Sequence, residues 1–303
     1  MSCIPTSAVS GQDGRVPGSP DAPTKGFLST EPDELARRTI RGWELFLDAV
    51  EGVDLNGPSR SRKRGAREMV VGLGTWPDSR GIPDIVADAR AGRPTTEPFA
   101  DASKRLFAAH RAATDAQVLG SIVESLVQTR QWFEQGVLES DGDLLTPSAL
   151  GPLPVGTVLH MALYQLAITV RDLAPAGAPG RPELDALGLA ALLDSSAAVA
   201  ARIGLTASAA AIGDQVAVSI DIANNGWIST RADNPAFPGV FGPEGVMLDL
   251  AAGRADLKAM LRRLRFRNPR GMLALAPVVD DVPDLPGGPL LRQIARWARV
   301  LGR

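Results

Sequence analysis

The stretch VGTVLHMALYQLAITVRDLA, residues 155–174, decides the fold. Val155, Leu159, Ala162, Leu163, Leu166, Val170 and Leu173 recur every three or four residues, the spacing of a helix with one buried face. On that helix Gln165, Thr169 and Asp172 stand at i, i+4 and i+7 and share a polar face. Working toward the N-terminus, the same period appears three more times. A long helix is predicted over 100–136, striped by Leu106, Ala109, Ala113, Ala116, Leu119, Val123, Leu126 and Phe133. A shorter one over 64–75 carries Val70, Val71 and Leu73 and stops at Trp76-Pro77. The first opens at Thr30 or Asp33, runs through Leu35, Trp43, Phe46, Leu47 and Val50, and stops at Gly52. The turn-rich 77–98 holds one short helical piece near 85–89, and 140–154 is a second turn-rich segment. Four striped helices joined by loops predict a helical bundle.

Toward the C-terminus the pattern changes. Residues 175–182 read as a linker and 183–203 as a helix. Val216, Val218, Ile220 and Ile222 then alternate with period two, and Asn224-Asn225-Gly226 is a hairpin turn signal before a strand at Trp227–Thr230. Helices near 244–253 and 255–266, a strand over 272–279 and a closing helix over 288–301 complete a small α+β unit. The predicted class is α+β multidomain: a disordered tail at 1–31, rich in Ser, Gly, Pro, Thr and Asp, an all-α four-helix bundle at 32–175, and an α+β domain at 183–303.

Composition bounds the function. The 303 residues are 45% hydrophobic and 22% charged, ordinary for a globular chain of about two domains. Cys3 is the single cysteine, so no internal disulfide or cysteine-based zinc cluster forms. A net charge of -2 argues against a nucleic-acid coat. Of 32 basic residues only Lys25, Lys63, Lys104 and Lys258 are lysine, a bias expected of high-GC bacterial coding. No uninterrupted apolar run reaches a membrane span; Leu184–Gly213 comes nearest, broken by Asp185, Asp194 and Arg202. No secretory signal is read at the start, and the expected location is the cytoplasm.

Several landmarks carry a family resemblance. Leu47–Trp76 ends a helix with LDAV, continues VDLNGPS, passes a basic stretch and closes on AREMVVGLGTW. Val158–Ala174 ends in an acidic-hydrophobic DLA, and Asn225-Gly226-Trp227 is followed by Pro243–Arg254 with its closing Ala-Gly-Arg. In this order they resemble the mycothiol-dependent maleylpyruvate isomerase family, a DinB-like four-helix bundle with a sterol-carrier-like C-terminal domain. The resemblance covers about 31–303. It implies a divalent metal, usually zinc, held by a second-helix histidine and a Glu-x-x-x-His pair on the fourth helix, with an open position to activate a thiol or water. Those ligand positions fall on Gly72, Gln165 and Thr169, which offer no side chain, a neutral amide and a hydroxyl. The expectation is therefore no metal and no cofactor, and a degenerate site.

The remaining chemistry-bearing residues are few. His160, Gln165, Thr169 and Arg171 are the candidates for polarising a substrate without a metal; His110 is a further lone acid–base group. Two basic runs stand out: Arg60, Arg62, Lys63, Arg64 and Arg67, then Lys258 with Arg262, Arg263, Arg265, Arg267 and Arg270. With no helix-turn-helix, zinc finger or aromatic ladder, the second run points to a partner protein or anion rather than nucleic acid. The functional expectation is a metal-free, non-catalytic binding or accessory subunit for a partner enzyme in a bacterial biosynthetic pathway. The alternative is a thiol-dependent isomerase or transferase working without zinc. A small-molecule or thiol ligand is compatible with either; a membrane partner with neither.

Overall fold

The computed structural model describes Gly26 and residues 32–61, 64–92, 99–148, 150–254 and 262–281. The tail expected at 1–31, apart from Gly26, lies outside these, as do 255–261 of the predicted helix and the closing helix at 288–301.

An all-α bundle precedes a small α+β unit, as the periodicity indicated. Helix α1 (Pro32–Val50) buries Leu35, Trp43, Phe46, Ala49 and Val50 on one stripe. Helix α7 (Val155–Asp172) is the central member of the bundle, and α8 (Pro182–Arg202) packs along it. Small residues set these approaches: a side chain at Gly42 would collide with Leu163, and one at Gly188 would press Ala167 at 2.6 Å. Helix α8 has the length and apolarity of a membrane span. Its Leu184, Leu189, Ala191, Val199 and Ala200 are buried, so it is the core helix between the bundle and the sheet.

The helix expected over 100–136 is two: α4 (Phe99–His110) and α5 (Asp115–Glu134). The break is a capping box. Thr114 Oγ1 accepts from the Gln117 backbone N–H at 3.3 Å, while Gln117 Oε1 accepts from the Thr114 N–H at 2.8 Å. The second predicted helix shrinks to α2 (Ala66–Val71). After it the chain crosses α5 so closely that a side chain at Gly74 would collide with Ser121, and the Thr75 N–H donates to the Ser121 carbonyl at 2.9 Å. The piece at 85–89 extends to α3 (Ile82–Ala91), started by Pro83 in its first turn and stopped by Gly92 at φ 61°. A short α6 (Val137–Asp141) and a two-residue pairing of β1 (Leu145–Thr146) with β2 (Leu153–Pro154) lead into α7. On α5, Ser121, Ser125 and Thr129 turn inward and bond the carbonyls of Val118, Ser121 and Ser125 at 2.7–3.1 Å, which satisfies buried hydroxyls within their own helix.

The C-terminal sheet has the order β5-β4-β3-β6-β7. Strands β4 (Ala217–Ala223) and β5 (Gly226–Thr230) form the expected hairpin, with Asn224 and Asn225 at φ 53° and 59° as a tight turn of that kind needs. Strand β3 (Ala207–Ile212), ASAAAI, carried no strand signal. It lies mid-sheet, antiparallel to β4 and parallel to β6 (Gly239–Phe241), so pairing on both sides overrides the poor intrinsic preference of alanine. Helix α9 (Glu244–Ala251) follows. Where the sequence predicted helix, Arg265–Arg267 is the edge strand β7, antiparallel to β6. Where it predicted a strand over 272–279, there is a 3-10 turn at Gly271–Leu275 and helix α10 (Ala276–Asp281), with Pro277 in its first turn.

Two cores result. One is continuous from Trp43, Phe46 and Val70 through Leu163 and Leu166 to Val246 and Leu248, so bundle and α9 share it. The other places Ala197, Ala201, Ile220, Ile222 and Trp227 together. The expected linker is part of the packing: Ala176 and Ala178 are buried, and the Asp54 N–H donates to the Ala176 carbonyl at 3.0 Å. Gly26 is also buried. Any side chain there would collide with Trp227 Nε1 and Asp194 Oδ1.

Candidate functional site

Helix α7 organises two polar clusters, one at its middle and one at its end. At the middle, His160 is 1% exposed and its Nδ1 lies 2.9 Å from Asp194 Oδ2 on α8. Asp194 Oδ1 accepts from Trp227 Nε1 at 2.8 Å and from Ser229 Oγ at 2.7 Å, both on β5. Burial opposes the charge on Asp194. The hydrogen bonds from His160, Trp227 and Ser229 outweigh it and hold the carboxyl below its usual range. Burial also dominates at His160 and lowers its pKa despite the neighbouring carboxylate. Arg38 of α1 completes the surroundings, lowered to about 10 by burial and by Arg231. One carboxylate thus joins the bundle, α8 and the sheet.

At the end of α7, Arg171 forms a fork with Asp249 of α9 (2.9 and 2.7 Å) and also bonds Asp185 of α8 at 2.8 Å. Arg60, from the first basic run, adds a second fork to Asp249 at 3.0 and 3.2 Å. Asp172 is fully buried and accepts from Arg254 at 2.7 Å. Burial raises its pKa, opposed by Arg254, Arg60 and Arg64. Tyr164 is buried beside the same charges and its hydroxyl pKa is raised, chiefly by burial. Paired guanidinium forks of this kind fix orientation between elements.

Asp185 is the member of this cluster that titrates nearest neutrality, pushed up to about 6 by burial, with Arg171 opposing and Asp249 and Glu244 adding to the rise. Its folded pKa exceeds the ordinary 3.8, so its favourable contribution is complete below that value and is lost as pH rises through about 6. His160 has the opposite sign, because its pKa is lowered. Asp185→Asn is expected to remove the Asp185 slope and keep the His160 one. Urea unfolding of both proteins at steps across pH 4 to 7 checks this: a difference curve flat with pH would contradict it.

The three positions that the resemblance assigns to metal ligands offer poor donors. An added Cβ at Gly72 would face Ser103 of α4 at 3.4 Å. Gln165 is half-buried and Thr169 buried, an amide and a hydroxyl. Among the described residues no group of three or more His, Cys, Asp or Glu side chains is placed to bind an ion. The donor set lacks the imidazole, thiolate or carboxylate that zinc needs. His160, one turn away, is directed to Asp194.

The other sequence candidates are dispersed. His110 stacks on Trp76 at 4.0 Å, and its Nε2 lies 2.6 Å from Asp78 Oδ1. Arg67 is spent on the Ala113 carbonyl and Asp115. Of the C-terminal arginines, Arg267 is structural: it clamps Asp233 at 2.7 and 3.0 Å, bonds the Phe237 carbonyl at 2.7 Å and covers Phe241. Arg262, Arg263, Arg265 and Arg270 are exposed and, among the described residues, have no ionic partner. Sequence reasoning missed the role of Asp194. Its signal was an acid inside an otherwise apolar helix, a position that demands a partner.

No protein-family model and no curated relative matches the sequence. Two solved structures are similar in fold. One is a mycothiol-dependent maleylpyruvate isomerase, with a TM-score of 0.53 and 12% identity, covering 82% of this chain and 97% of that one. The other is a single-site mutant of such an isomerase, with a TM-score of 0.51 and 14% identity over the same shares.

Proposed function

We propose, with that shared fold as the premise, that this chain is a metal-independent binding or accessory subunit, serving a partner enzyme of a biosynthetic pathway in the cytoplasm. The observation that carries the proposal is the fate of the side chains around α7. The ligand positions offer no zinc donors, and three of the four residues named for replacing a Lewis acid are buried or paired, leaving only the neutral amide of the half-buried Gln165. His160 is sealed against Asp194, Arg171 is shared by Asp249 and Asp185, and Thr169 is buried. A thiol-dependent isomerase or transferase working without zinc would need at least one of these groups free to meet a substrate. The exposed Arg262, Arg263, Arg265 and Arg270 are contacts for an acidic partner surface or anion, with Arg267 holding the strand beneath them.

Elemental analysis and co-purification test this together. The expected result is substoichiometric zinc in protein purified without chelator, and a defined protein partner retained from the native host. Tightly bound zinc at one per chain, with turnover of a thiol adduct that chelation abolishes, would overturn it.

A further inference from the structure

Helix α5 turns its hydroxyls inward and part of its apolar surface outward. Ser121, Ser125 and Thr129 line its inner seam, while Leu119 is partly buried at the edge of the core and Val123 is 42% exposed. Opposite them stand Glu44 and Asp48 on α1, with Glu51 in the turn directly after it. Between these rows lies an open groove of about 350 Å³, floored by Leu47 and Leu126. One wall is apolar at helical spacing and the other is a carboxylate ladder of the same length. Glu44 is engaged by Arg41 and Arg130, and Asp48 by Arg181. Asp48 stays 66% exposed, and Glu51 at the open end has no ionic partner among the described residues.

We propose that this groove is the docking site for a basic amphipathic helix of the partner protein, a deepening that rests on the binding-subunit reading above. The exposed Val123, beside the partly buried Leu119 and above a floor of Leu47 and Leu126, meets the apolar face of an incoming helix. Lysine or arginine on that helix's flank then meets Asp48 and Glu51. A second copy of this chain fits worse, because it would bring the same three carboxylates to the shared face, and like charges at close range repel.

The probe is a synthetic helix of alternating leucine and lysine faces, with a leucine–glutamate counterpart as control. Fluorescence anisotropy is expected to show binding of the basic peptide alone. Amide exchange is expected to slow over 44–51 and 119–126. Val123→Ser, and separately Asp48→Lys with Glu51→Lys, are expected to weaken binding about tenfold or more with unchanged unfolding midpoints. Equal binding of the acidic peptide, protection elsewhere, no binding, or a concentration-dependent dimer abolished by Val123→Ser would each overturn the assignment. A native partner retained equally by both variants and the wild type overturns this surface and leaves the binding-subunit reading standing. Groove-localised peptide binding by a chain that retains no native partner supports the surface and counts against that reading.

Discussion

Asp194→Ala is expected to lower the unfolding free energy by about 3–5 kcal/mol, the usual result of removing one partner from a buried polar cluster. The carboxylate is 1% exposed and serves donors from two different elements. Its removal strips His160 Nδ1, Trp227 Nε1 and Ser229 Oγ of their shared acceptor at once. Each buried donor left unmade costs about 1–3 kcal/mol, partly offset by relaxation of the site. Asp194→Asn keeps the volume and one acceptor oxygen, so it should recover part of the loss. Ser229→Ala removes one of three donors to the ionised carboxylate and should cost about 1.5–3 kcal/mol. Guanidinium unfolding at neutral pH reads all three. A loss at Asp194→Ala no larger than at Ser229→Ala would show that the cluster does not hold the sheet to the bundle.

The second large effect is expected at Asp249. This carboxylate receives forks from Arg60 of the α1–α2 loop and Arg171 of α7, while belonging to α9. Burial works against its charge, but the bonds from both arginines prevail and keep its pKa low. Asp249→Ala leaves two guanidiniums facing each other in a partly buried seam, with Asp185 as the remaining neighbour of Arg171. The expected cost is about 3 kcal/mol, and amide exchange should accelerate first in α9 and the end of α7. Arg60→Ala alone should cost less, since Arg171 still satisfies the carboxylate. If Arg60→Ala and Asp249→Ala are equally damaging, the Arg171 fork contributes nothing beyond the Arg60 one.

Much of this fold was legible because periodicity reports burial. The stripe of α7, the alternation in β4 and the Asn224-Asn225 turn each name a local geometry that a short window fixes. The failures have equally local causes. Thr114 and Gln117 lie in a stretch whose apolar period continues across them, so a capping box was read as helix interior. Strand β3 is alanine-rich and becomes a strand only because β4 and β6 flank it, which no window of its own sequence records. That Gln165 and Thr169 are poor metal donors was visible directly in the sequence. The His160–Asp194 pair was not, because its members lie 34 positions apart on two different helices. The fork at Asp249 joins residues 189 and 78 positions apart, so the ordinary-looking Arg60 and Arg171 gave no sign of their shared role.

The buried Gly26 has a practical consequence for anyone trimming the chain. A version shortened to begin at the first helix would uncover the edge of the Trp227 indole and one oxygen of Asp194. The tryptophan's emission would then report water where the intact protein has backbone. Stability or binding measured on such a fragment would belong to a different molecule, although every helix and strand of the bundle and sheet would still be encoded.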